Sequence, residues 1–456
     1  MVSEIETDGR RPADAEAVDR IYAILTGEDA EDRACEAIPG AACTDVPANY
    51  VLNVANGACT KLAEQLASPT LTLPWMLTAI GAPAALAALL APLKQVGSLL
   101  PQLFVAGIIR ARRIRKTVWV AAGMAQSLCL VAMLAALLLL PGTAAGVAVV
   151  VLFALFAIAS GCGSVAFQDV TGKTIPKGRR GRMLANRAAI GGVLTLAAAG
   201  LMRGFVSDDS GVGVFALLIG VAAGLWAAAA LLFGRITEVP GATEGGRNAW
   251  ESARQGLAIA RANAAYRRYL GARGLLLSAE VGMPIVVVLA QQAAGGGLSG
   301  LALLVFAVGL ANIVSSPFWG RLSDSDSRRV MAHAGGLSAL AGLAALAIVF
   351  LFDEAGLLGW LFMPVFFLLG VAESGARLGR KTYLVDGAPA DERPLVVAFA
   401  NTVIGVVALG FGLLGLLADL AGPAVAVGLL VAIALAGAAL SWTLPKPERL
   451  VTRNEV

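Results

Sequence analysis

Residues 320–329 read GRLSDSDSRR, with one apolar run ending just before them at Trp319 and another beginning just after at Val330. Asp324 lies four places after Gly320, and Arg328 and Arg329 close the stretch. A short charged turn between two long apolar segments is what a membrane chain needs where two helices leave the bilayer together. A counterpart, GIIRARRIRK, occupies residues 107–116, about 213 positions earlier.

Composition agrees with that reading. Hydrophobic residues make up 58% of the 456 residues and charged residues 14%, with a mean hydropathy of +0.77. A soluble domain carries about 25% charged residues. The 53 glycines and abundant alanines suit helices that approach closely in lipid, where packing rather than hydrophobic force holds them.

From Tyr50 onward twelve spans are expected, at about 50–71, 82–106, 117–140, 143–167, 183–204, 211–234, 271–293, 298–319, 330–352, 355–377, 395–418 and 421–444. The fold class is therefore an all-α membrane protein of two six-helix bundles, 50–234 and 271–444. A linker at 235–270 joins them, and a short tail, 445–456, follows. Within the linker, Arg254, Arg261, Arg267 and Arg268 alternate with apolar positions between Trp250 and Tyr269, predicting an amphipathic helix on an anionic lipid surface.

Residues 1–49 are a different material, with twelve acidic residues against four arginines. Val18, Ile21, Tyr22 and Leu25 share a helical face that Gly27 closes, so a short amphipathic helix is expected in a solvated tail. Its acidity and the late first apolar run argue against a cleavable signal peptide. The alternative is a lid or a segment that docks a protein partner.

Of the 35 Lys and Arg, 28 fall in the even-numbered connections, the adjoining helix ends or the C-terminal tail, and Lys61 and Lys94 lie inside spans. Asp208, Asp209, Asp353, Glu354 and Asp419 mark the opposite face. The positive-inside rule then places both termini in the cytoplasm, with the chain multi-pass in the inner membrane.

The halves echo each other. Ala63-Glu64 precedes Pro69 in span one, and Ala279-Glu280 precedes Pro284 in span seven. Lys173-x-x-Pro176-x-x-x-Arg180 is matched by Asp386-x-x-Pro389-x-x-x-Arg393. A doubled six-span unit, together with Gly320, Asp324, Arg328 and Arg329, resembles the major facilitator superfamily and its loop G-x-x-x-D-x-x-G-R-[RK]. The resemblance implies that Asp324, aided by Arg328, pairs with the cytoplasmic end of a neighbouring helix and gates the inner face. Ser327 stands where the pattern has Gly, and Ala111 stands where the first-half loop has Asp. No intramembrane Arg in span four and no Gly-Pro in span five match the drug/proton antiporters.

Polar residues inside the spans are the candidates for chemistry. Asn53, Asn56, Gly57, Thr60 and Glu64 form one stripe, with Lys61 about a sixth of a turn from Glu64. An ionised group at mid-bilayer costs roughly 2.5–3.5 kcal/mol, so these residues either pair internally or face a watery cavity. Lys94, next to Gln95, begins a second stripe with Ser98 and Gln102. Two such ammonium groups favour an anionic or zwitterionic solute, unless Lys94 pairs with Glu64 or Glu280. Substrate binding is therefore assigned to Asn56, Thr60, Lys61, Glu64, Lys94 and Gln95. Proton coupling is assigned to Glu280, then Glu64, because a carboxyl in an apolar setting titrates closer to neutrality. Glu373 and Arg377, four apart in span ten, read as a gate or a structural ion pair.

There is no phosphate-binding loop and no catalytic cluster, so neither an ATP motor nor an enzyme is indicated. No cofactor, metal or nucleic acid is expected. Cys35 and Cys43 form either a redox pair or half of a metal site, while Cys59, Cys129 and Cys162 read as packing residues. The function implied is a secondary active transporter moving a small polar, possibly anionic, solute with protons. The rival is a non-transporting membrane scaffold that reuses the fold.

Overall fold

The computed structural model describes residues 13–27, 38, 40–110, 112–176, 179–205, 211–241, 249–294, 298–352, 355–388, 393–447 and 450. Among these, regular structure is helical throughout. A tail helix, α1 (Ala13–Thr26), precedes the first bundle. That bundle is α2 (Val46–Leu66), α3 (Thr72–Ala79), α4 (Ala84–Arg110), α5 (Lys116–Leu139), α6 (Gly142–Thr174), α7 (Arg180–Phe205) and α8 (Gly211–Gly234). Helix α9 (Ala249–Ala262) crosses to the second bundle. The second bundle is α10 (Ala264–Val281), α11 (Met283–Ala294), α12 (Leu298–Leu351), α13 (Ala355–Gly387), α14 (Arg393–Phe411), α15 (Leu413–Ala421) and α16 (Pro423–Trp442).

Ten segments among the described residues are long and apolar enough to cross a membrane. The other two of the twelve are span one, whose polar stripe lowers its hydropathy, and span two, whose apolar part is the shorter segment Ala84–Leu99. The chain is a multi-pass membrane protein of two six-span bundles.

Both bundles begin with a broken helix, at the places where the repeated Glu and Pro stand. Span one stops after Leu66 and resumes at Thr72; span seven stops at Val281 and resumes at Met283. Proline lacks the N–H that a continuous helix requires, so Pro69 and Pro284 mark the interruptions, with Glu64 and Glu280 in the turn before each. Span eleven is divided too, between α14 and α15.

The GRLSDSDSRR stretch is tighter than a loop. Helical geometry runs through it except at Asp326, whose backbone is extended (φ −162°, ψ 98°) and separates arms 298–325 and 327–351 of α12. The Asp326 carboxylate accepts from the Arg328 backbone N–H at 3.0 Å, from its Nε at 2.9 Å and from its second guanidinium nitrogen at 2.6 Å. Arg328 also donates to the carbonyl of Leu444, tying the break to the end of α16 at 2.9 Å. The side chain of Asp324 lies outside the described residues. A Cβ added at Gly320 would meet open space, so nothing steric demands glycine there.

The first-half loop, lacking its Asp at Ala111, uses other acids. Glu238, just past α8, accepts from the backbone N–H groups of Arg115 and Lys116 at 2.9 and 2.7 Å and pairs with Lys173 at 3.0 Å. Asp169 of α6 pairs with Arg115 and, at 2.8 Å, with Lys173. A carboxylate at the first N–H groups of α5 also meets the positive end of its dipole.

Residues 250–269 do not form one helix. Asn263 ends α9 and caps α10, its side chain accepting from the Tyr266 N–H at 3.0 Å. Helix α9 packs on α14, with Ile259 and Ala260 buried and Gly256 against the Phe399 ring. The tail helix is docked as well. Tyr22 is buried edge-on to Tyr50 at 5.4 Å, and Arg179 stacks over the Tyr22 ring. Asn186 donates to the Leu25 carbonyl at 2.9 Å, and Arg182 donates to that of Thr26. Cys43 is disulfide-bonded, Cys35 lies outside the described residues, and the three membrane cysteines are free thiols. Asp208, Asp209, Asp353 and Glu354 also lie outside the described residues.

Candidate functional site: a charged chamber between the bundles

The bundles meet along α4 against α14 and α15, and along α7 against α12. At the end away from the termini they are pinned. Asp419 of α15 accepts from the first N–H groups of α4, Ala84 at 2.7 Å and Ala85 at 2.8 Å. Gly415 sits against Ala85 and Ala88 there, so closely that a Cβ would collide with both. Helix α3 also packs on α11.

At mid-depth the interface is charged. From the first bundle come Lys61, paired with Glu64 at 2.9 Å, and Lys94. Lys61 is half exposed despite its place within a span, and Lys94 is exposed and makes no hydrogen bond or ion pair among the described residues. Gly191 of α7 has no Cβ where Lys61 passes, which lets the lysine stem lie flat against that helix.

From the second bundle comes a face of α13. Glu373, Arg377 and Arg380 follow i, i+4, i+7, and Lys381 is one step further round. Arg377 pairs with Glu373 at 3.2 Å and reaches Asn312 at 3.4 Å. Arg380 holds Glu280 with 2.8 and 3.1 Å contacts. Gln95 of α4 donates to the same Glu280 carboxylate at 3.0 Å, a direct polar bond between bundles.

The residues read from the sequence thus divide. Gln95 and Glu280 meet across the interface, while Lys61 with Glu64 and Arg377 with Glu373 pair within their own helices and Lys94, next to Gln95, is exposed. Asn56 and Thr60 bond within the first bundle. Asn56 is fully buried and donates to the Ala229 carbonyl of α8 at 2.8 Å, and Thr60 donates to Gly57 in its own helix at 3.1 Å. The stripe turns its asparagines into the first bundle. There Asn49 exchanges bonds with Thr237, and the Asn53 carbonyl accepts from Arg187.

Arg380, Lys381, Arg187 and Arg273 were missed as site residues. The first two lie just past the expected end of span ten at 377, yet α13 runs on to Gly387 and keeps them on the helix. Arg187 and Arg273 are almost wholly buried, the former beneath Gly57, the latter donating to Asn401 at 2.8 Å. The i, i+4, i+7 spacing from Glu373 was the signal available for Arg380.

The sequence of residues 274–455 matches the family model described as Major Facilitator Superfamily. Over 87–88% of its length the chain also superposes on solved transporter structures. Among those structures are a D-xylose–proton symporter (TM-score 0.64, 14% identity, 88% of this chain and 98% of that one) and a mutant of the nucleoside transporter NupG (0.65, 14%, 87% and 100%). A mutant of a peptide transporter is similar (0.63, 14%, 88% and 95%), as is the inward-open xylose transporter XylE from E. coli (0.64, 14%, 88% and 98%). No curated protein matches the chain in sequence. Span seven and the charged face of α13 meet α4 where the two halves of the fold meet.

Proposed function

We propose that the protein is a secondary active transporter, taking a small anionic solute across the inner membrane by alternating access and coupling it to protons. The observation that carries the reading is the bond from Gln95 in one bundle to the Arg380-held carboxylate of Glu280 in the other. Charged groups at mid-membrane are expensive unless they face water or a ligand. Here they sit where a solute would pass. With the bundles pinned at the Asp419 end, the chamber is read as facing the opposite, basic end. Under the positive-inside rule that end is cytoplasmic, as are both termini.

In this reading Glu280 is the proton carrier. Arg380 holds its carboxylate at 2.8 Å. A proton on it neutralises the carboxylate, weakens both the Arg380 ion pair and the Gln95 bond, and frees the bundles to part. Glu280→Gln then leaves solute exchange intact and abolishes uptake driven by a pH gradient in proteoliposomes. Equal loss of both would refute the coupling role. The gating role given to the loop is carried in this reading by Asp326, which holds Arg328 at 2.6 Å and pairs with Arg329 at 3.6 Å. The scaffold alternative loses its main support, because the Tyr22 face of the tail helix is already occupied by the chain's own first bundle.

A further inference from the structure

The linker helix does not lie on lipid through its apolar side. Gly256, Ile259 and Ala260 of α9 are buried against α14 and its neighbours, with Gly256 on the Phe399 ring. The face left outward carries Arg254, Leu257, Ala258 and Arg261, at i, i+3, i+4, i+7. The first turns of α10 continue it with exposed Ala264, Arg267, Arg268 and Gly271 at the same spacing. The two faces are tied at the elbow. Arg267 folds back to donate to the Ala260 carbonyl at 3.1 Å and to that of Arg261, near the end of α9. Arg261 and Arg268 are exposed, and neither side chain has a hydrogen bond or ion pair among the described residues. Between Glu251 and Glu280 the chain has five arginines and no acidic residue.

Packing between α10 and α16 sets the depth of this cluster. A Cβ at Gly271 would lie 3.4 Å from Leu440, and one at Gly437 would lie 3.1 Å from Leu275, so the helices run antiparallel with 271 level with 440. Arg267 and Arg268 stand one turn before Gly271 on the same face, level with the end of α16. That end is Trp442, 55% exposed, with its ring edge-on to His333 at 5.5 Å. An exposed tryptophan at the end of a membrane span sits at the level of the headgroups. The guanidinium groups of α10 therefore stand in the headgroup layer. Below them the bare Gly271 leaves a shallow groove between α10 and α16.

We infer that this elbow binds the phosphodiester headgroup of an anionic phospholipid. Arg261 and Arg268 receive the phosphate, and Arg267 braces the elbow that presents them. Trp442 packs on the glycerol region, and the groove at Gly271 takes the start of an acyl chain. Guanidinium groups suit this task because they offer paired donors to phosphate oxygens and are less strongly hydrated than ammonium. The groove and the interfacial tryptophan make a lipid, rather than free phosphate, the occupant. The site lies roughly three turns along α10 from Glu280 and does not depend on what the chamber carries.

The test uses the purified full-length protein, stripped of lipid in a neutral detergent, and three probes: phosphatidylglycerol, phosphatidylcholine and inorganic phosphate. Binding is followed by thermal stabilisation, and retained lipid is counted by native mass spectrometry. Phosphatidylglycerol should bind about tenfold tighter than phosphatidylcholine or more, and phosphate alone should not stabilise. An arginine at an anionic surface is worth about fivefold in affinity, so Arg261→Gln with Arg268→Gln should weaken phosphatidylglycerol about tenfold or more. The charge-matched pair Arg112→Gln with Arg113→Gln, exposed at the basic end of the first bundle, should weaken it less than about threefold. Trp442→Ala should weaken both lipids. Arg261 and Arg268 hold nothing else in the fold, so the melting temperature without lipid should stay at the wild-type value and confirm that the variant is intact. Equal binding of the two lipids, or equal weakening by the two double variants, would overturn the inference in favour of diffuse charge. Phosphate stabilising as well as phosphatidylglycerol would overturn it in favour of a soluble anion. Each of these results leaves the transport reading standing.

Discussion

Asp419→Ala is the perturbation that acts most cleanly on the balance between conformations. The carboxylate sits on one bundle and accepts from the first two N–H groups of a helix in the other, at 2.7 and 2.8 Å. Those N–H groups have no partner inside α4, so this contact is a helix cap supplied from across the interface. Removing a capping side chain costs about 1 kcal/mol. Losing a negative charge at a helix N-terminus adds about 0.5 kcal/mol where the site is exposed, as Asp419 is. The sum, about 1.5 kcal/mol, falls only on states in which this end is closed, and so shifts the ratio of open to closed by about tenfold. A Lys61→Cys reporter in a background without the other cysteines reads the shift through its alkylation rate by a membrane-impermeant reagent. Reagent added on the Asp419 side should label about tenfold faster in the variant, and reagent on the other side correspondingly slower. An unchanged rate from the Asp419 side, or a faster one from the opposite side, would refute the argument that this contact holds the end shut.

Three further outcomes follow from packing and pairing. Glu238→Gln removes one of the two carboxylates on Lys173, Asp169 remaining at 2.8 Å, and weakens the charge-assisted bonds from the Arg115 and Lys116 N–H groups. A cost of about 1.5 kcal/mol is expected, seen as a lower melting temperature of the detergent-purified protein. Tyr22→Ala removes a fully buried ring and its edge-on contact with Tyr50. It should release α1, so that trypsin cleaves after Arg20 faster while the rest of the chain stays protected. Gly161→Leu places a side chain on the Gly97 carbonyl, where α4 and α6 touch backbone to backbone. A loss of about 3 kcal/mol is expected, in contrast to Gly200→Leu, where nothing lies within 4 Å and the melting temperature should hold.

Much of this was legible in the residues, for definite reasons. The spans are long and their flanks strongly cationic, which leaves little freedom in the topology. The repeated Glu64 with Pro69 and Glu280 with Pro284 marked the doubling of the bundle, while spans 50–71 and 271–293 were expected unbroken and the structure interrupts both. The site was harder. A stripe at helical spacing gives a face but not its neighbour, and Asn56 proved to face the Ala229 carbonyl of α8 while Lys61, five residues on, is half exposed and passes Gly191 of α7. Arg380 was hidden by a boundary. Charges near the end of an apolar run look like loop residues, and only the continuation of α13 to Gly387 carries this guanidinium to Glu280. Glu238 and Asp169 replace the acid missing at Ala111 from places remote in sequence, and no local pattern announces them.

The central claim is that the bundles rock against each other about the charged chamber. Spin labels at Leu140 and Leu420 report the distance between bundles at the Asp419 end, and labels at Arg113 and Asp386 report it at the other. In lipid, pulsed electron resonance distances should show two populations at each end. Asp419→Ala should lengthen the first pair and shorten the second together. A single distance at both ends, unmoved by Asp419→Ala and by pH, would contradict the account.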